Sequence, residues 1–154
     1  MLDLYQLPQG FPGFKSVKEH SDPYERVSLL ENSFAEDISN KRFIPYIQLH
    51  EFEALFFSDI YICNEVLSLN SSNRITELEA ILKKQPNPEL LNGGAQSAPS
   101  KRILKNYPQY QKSIDGIRIL ERIGLPNIRK KCHHFDNWLI KLESINKILY
   151  PNST

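Results

Sequence analysis

Arg42 to Asp59, RFIPYIQLHEFEALFFSD, is the longest apolar run of the sequence, and His50, Glu51 and Glu53 sit in its middle. An ionised carboxylate among core-forming residues costs free energy unless it is paired, ligates a metal or faces a cleft. Two readings follow. In one, the two acids and the histidine form a chemical site. In the other, a strand at Phe43 to Leu49 runs into a helix from Glu51, with Phe52, Leu55 and Phe56 inward. Glu51 and Glu53 then lie near that helix's N-terminus, on its wet face, where the dipole favours anions. Pro45 has no N–H for a ladder, which places the strand at an edge or on a bulge.

Upstream, Met1 to Leu7, MLDLYQL, reads as a short strand with Asp3 at its centre, ended by Pro8. Gln9 to Lys15, QGFPGFK, is a loop in which Phe11 and Phe14 need cover. Asp22 and Pro23 open a helix, with Glu25 completing a capping-box-like start and Val27, Leu30, Phe34 and Ile38 on one face. Downstream, Asp59 caps a helix with Cys63, Val66 and Leu67 inward. Asn70 to Asn73 turns into a short helix carrying Ile75, Leu78 and Ile81 or Leu82. Gln85 to Ser100, QPNPELLNGGAQSAPS, is a loop long enough to suggest function. It delivers Ser100, Lys101 and Arg102 to a helix start, a combination suited to phosphate or carboxylate. Ile117, Leu120 and Ile123 predict a further helix closed by Gly124 at C′. Phe135, Trp138, Leu139, Leu142, Ile145 and Leu149 predict a last one, with residues 151–154 as a frayed tail.

The 154 residues and 40 % hydrophobic content suit one domain over residues 1–150. The fold class is α/β or α+β: a small sheet of Met1–Leu7 and Phe43–Leu49, covered by helices, with a mostly helical C-terminal half. Nineteen Lys and Arg against eighteen Asp and Glu leave a formal charge of +1, so overall charge does not demand nucleic acid. No run is long enough to span a bilayer, and the start has no signal-peptide pattern. Two distant cysteines, Cys63 and Cys132, fit a reduced, cytoplasmic protein. Cys132, His133 and His134 invite zinc, but no second cluster has zinc-finger spacing, so no zinc is expected.

Four segments in order resemble the bacterial proteins grouped as domain of unknown function family 4276: Leu2 to Gly13, Arg42 to Asp59, Pro88 to Ile103, and Ile123 to Leu142. HEFEAL and APSKR together carry most of the specificity. That family resembles TOPRIM-type domains, small α/β sheets with an acidic metal site, often found beside ABC- or OLD-type ATPases in phage-defence gene clusters. The resemblance implies a Mg²⁺-dependent nuclease, or a defence effector partnered with an ATPase. It implies Asp3, Glu51 and Glu53 as metal ligands, His50, Glu51 and Glu53 as the catalytic set, and Ser100, Lys101 and Arg102 as the phosphate grip. Cys132, His134 and Trp138 match the C-terminal motif. The sequence departs from the family pattern in lacking the EGxTE-type motif and in having Tyr5 where a DxD pair needs an acid. A TOPRIM-like domain that is N-terminally incomplete is the expectation. The residues alone also allow a non-catalytic binding or regulatory module, in which HEFEA is a buried polar network. Homo-oligomerisation and nucleic-acid binding stay open, and no membrane is expected.

Overall fold

The computed structural model describes residues 2–69, 72–91 and 97–149. The expected turn at Asn70–Asn73 and the long loop before Ser100 lie partly outside these residues, and the tail at 151–154 wholly so. The described residues are mostly helical with one small parallel sheet, an α+β architecture. They group into two compact units, residues 2–49 with 134–149, and residues 50–133.

In the first unit, strands β1 (Leu2–Asp3) and β2 (Ile47–Gln48) pair in parallel, Leu2 with Ile47 and Asp3 with Gln48. The sheet is much shorter than the expected strands. From Leu4 the chain tightens into a 3₁₀ turn, Leu4–Gln6, and the residues around Pro45 stay out of the ladder. Helix α1 (Pro23–Ile38) starts as the sequence predicts: Asp22 accepts from the Tyr24 and Glu25 N–H groups, and Pro23 fills the first turn. Val27 and Leu30 are fully buried. Phe34 lies 4.9 Å from Phe11 and 4.9 Å from Phe43, ring centroid to centroid, so the loop phenylalanine finds its cover on α1.

Glu31, on the buried face of α1, organises the unit's polar interior. Its Oε1 accepts from the Ile47 N–H at 2.8 Å and lies 3.0 Å from His134 Nε2, which also sits 3.2 Å from the Ile47 carbonyl oxygen. Two side chains thus take both backbone polar groups of Ile47. Tyr46 stacks on His134 at 5.2 Å and leans on Trp138 at 4.9 Å, and its hydroxyl donates to the Gln48 amide oxygen.

The second unit is built around a 3₁₀ segment, Phe52–Ser58, whose Ala54, Leu55, Phe56 and Phe57 are all buried. Helices α2 (Ile60–Ser68), α3 (Ile75–Lys84), α4 (Pro99–Asn106), α5 (Lys112–Ile123) and α6 (Leu125–Lys131) follow in order, and α7 (His133–Leu149) ends the described chain. Asp59 caps α2 as expected, accepting from the Tyr61 and Ile62 N–H groups. Gly124, at φ 75°, ends α5. The buried face of α5 is Gly116, Ile119 and Ile123, whereas Ile117 is 55 % exposed. Gly116 explains the offset. A Cβ there would lie 3.0 Å from the Phe52 ring, so α5 sets its smallest residue against that aromatic.

Candidate functional site

His50, Glu51 and Glu53 are all buried, Glu51 at 9 % and Glu53 at 1 % exposure, rather than standing on a wet face. Residues after Glu51 form a 3₁₀ segment, not the expected α-helix, and this geometry turns both acids inward. Glu51 does meet a helix N-terminus, but not that of its own segment. Its Oε2 accepts the Ser100 N–H at 2.7 Å, in the first turn of α4, whose Ala98 cap position offers no side-chain oxygen. Glu53 spends both oxygens. Oε1 takes the Tyr110 hydroxyl at 3.3 Å, and Oε2 takes Lys112 Nζ at 3.1 Å. Burial, with the Glu53 carboxylate beside it, holds the Tyr110 phenol far above its ordinary range, so it stays a donor to Glu53.

Burial pushes the His50 imidazole down to about 4, against the opposing pull of the Glu51 carboxylate. It is neutral at neutral pH and weakly basic. The unfolded chain protonates this group near 6.5 and the folded chain only near 4. The unfolded state therefore binds more protons in between, and stability present above pH 6.5 is lost as pH falls towards 4. We expect His50→Gln to lessen that acid loss by about 1–2 kcal/mol, after allowance for partial solvation. Denaturation midpoints of both proteins at neutral and mildly acid pH check this, and identical pH profiles would refute it.

Asp3 is half-buried at the end of β1 and lines a cavity of about 390 Å³ with Leu2, Gln6, Leu7, Pro8 and Phe11. It belongs to the first unit, whereas Glu51 and Glu53 belong to the second. Among the described residues, no group of three or more His, Cys, Asp or Glu side chains is placed to share a metal ion. The donors around Glu53 bear on a magnesium ion directly. The Lys112 ammonium, 3.1 Å from its Oε2, already pairs with the carboxylate and repels a second cation brought to the same group. As placed, Glu53 does not fit as a metal ligand.

Ser100 is not among the residues that line the cleft shared by Lys101 and Arg102. The Ser100 N–H is taken by Glu51, while Lys101 and Arg102 line a cleft between α3 and α4. Cys132 is buried with its sulfur 3.4 Å from Ser58 Oγ, and burial pushes its thiol up to about 12, which makes it a packing residue rather than a nucleophile. His134 and Trp138 belong to the first unit's interior. Sequence reading missed Tyr110 and Lys112 as partners of Glu53, and nothing local could have shown them. It also missed Lys105, whose spacing of one turn from Lys101 was there to read.

The domain of unknown function family DUF4276 matches residues 1–143. The chain belongs to this family. No curated protein and no solved structure matches this DUF4276 chain. No helix among the described residues is long and apolar enough to cross a membrane.

Proposed function

We propose that this DUF4276 chain is a TOPRIM-like cytoplasmic module of a bacterial phage-defence system, working beside an ABC- or OLD-type ATPase and recognising nucleic acid rather than hydrolysing it. The family resemblance of the HEFEAL and APSKR segments supports the setting. One observation carries the non-catalytic part: the motif acids hold protein donors, Glu51 the first turn of α4 and Glu53 the pair Tyr110 and Lys112. Acids so engaged build the module and leave recognition to its cationic surface.

The test combines two assays of the purified chain. With supercoiled plasmid and Mg²⁺ or Mn²⁺, no nicking above background is expected, while a labelled single-stranded oligonucleotide is retained at low salt. Metal-dependent nicking that disappears in Glu51→Gln, with an unchanged melting curve, would overturn the reading and make the chain the nuclease itself.

A further inference from the structure

The cleft between α3 and α4 has a volume of about 590 Å³ and is lined by Arg74, Glu77, Ala80, Ile81, Ser97, Lys101, Arg102, Lys105 and Asn106. Four cations there face one acid, in a chain whose formal net charge is only +1. Like charges gathered without matching acids raise each other's free energy, and a bound anion relieves that cost.

The four cations differ in how they are held. The Arg102 guanidinium is anchored: its Nε donates to the Ser97 carbonyl. A guanidinium anchored through Nε keeps its terminal nitrogens for a further acceptor, in the fork that suits a phosphate. Lys101 and Lys105 stand one turn apart on α4, both exposed, and no ion-pair partner exists for either among the described residues. Their Cα atoms are separated along the helix by about 6 Å, from the rise per residue. Arg74 closes the far wall, 3.3 Å from Glu77. On the α3 side, Ala80 and Ile81 add an apolar surface beside the Arg74–Glu77 pair, opposite the cations of α4.

We propose that this cleft binds the phosphate of a nucleotide, with Arg102 as the oriented contact, Lys101 and Lys105 as the flanking charges, and Ala80 and Ile81 against the sugar or base. The site deepens the nucleic-acid reading above and rests on it. It also moves the phosphate grip from the tip of α4, where Glu51 sits, to the helix flank. Its size suits a ligand of nucleotide dimensions, either a free nucleotide or one link of a strand.

Fluorescence and calorimetric titrations with inorganic phosphate, adenosine monophosphate and a labelled single-stranded oligonucleotide separate the sources. The chain is compared with Lys101→Ala/Lys105→Ala, with Arg102→Gln, and with Lys130→Ala/Lys131→Ala as a charge-matched control away from the cleft. Binding of any probe, weakened about tenfold in the first two variants and unchanged in the control, is the expected result. For the oligonucleotide, the slope of log K against log salt should fall by about 1.4 when both lysines are removed. Binding of the mononucleotide identifies a small-molecule site, and binding of the oligonucleotide alone identifies a strand. Oligonucleotide binding that the cleft variants leave intact, or that the control weakens equally, overturns this site and leaves the nucleic-acid reading standing. No binding of any probe overturns both.

Discussion

Replacing Glu53 with alanine is expected to destabilise the chain by about 3 kcal/mol, measured as the shift in a denaturant unfolding curve. The loss has two parts. Removing a side chain that is 1 % exposed leaves a cavity beside Tyr110. It also strips the buried Tyr110 hydroxyl of its acceptor. The ion pair with Lys112 joins a lysine whose side chain is 59 % exposed to a carboxylate that is 1 % exposed, so its loss is felt at the carboxylate and not at the lysine. Lys112→Ala, which leaves Glu53 buried with only the Tyr110 hydroxyl, should cost about 1–2 kcal/mol. Glu53→Gln, which keeps an oxygen for Tyr110, should lie between the two. A Lys112 variant as damaging as Glu53→Ala would show the ion pair, not the hydroxyl, to be the main attachment.

The second large effect is expected at Glu31. Alanine there removes the acceptor of the Ile47 N–H and the partner of His134 Nε2. His134 Nε2 keeps the Ile47 carbonyl oxygen 3.2 Å away, so the cost is mainly that of one deprived interior donor, the Ile47 N–H, about 1–3 kcal/mol. Hydrogen exchange provides a local readout. The Ile47 amide should lose protection before the buried amides of α1, because its acceptor among the described residues is a side chain rather than a helix carbonyl. Unchanged protection at Ile47 would mean that the backbone there finds another acceptor. Glu31→Gln, which retains the one oxygen that both groups share, should keep most of the Ile47 protection and the His134 contact with it.

Features set by neighbours in the chain were legible. The Asp22–Pro23 helix start, the Asp59 cap and the Gly124 helix end depend on the residue and its next few neighbours, and each appears where the sequence predicts it. The α+β class and the helical C-terminal half were legible for the same reason. What escaped depends on partners distant in sequence. Phe43–Leu49 has strand-forming residues throughout, yet among the described residues only Ile47 and Gln48 meet a partner strand. The α5 face is displaced because Gly116 admits the Phe52 ring, a contact that helical periodicity cannot express.

The motif acids make the same point more sharply. That they do electrostatic work inside the protein could be argued from their greasy surroundings. Their partners could not, because Ser100 lies 49 positions beyond Glu51, and Tyr110 and Lys112 lie 57 and 59 beyond Glu53. Helix dipole arguments assigned Glu51 to the nearest helix start, whereas the chain uses it on a later one.

The engagement of Ile47 by Glu31 and His134 gives the small sheet a handedness of growth. A third strand beside β2 would need the amide hydrogen and carbonyl oxygen that these side chains already hold. Displacing them would strand a carboxylate and an imidazole in the interior. Enlargement of this sheet by a further segment is thereby directed to the flank of Leu2 and Asp3.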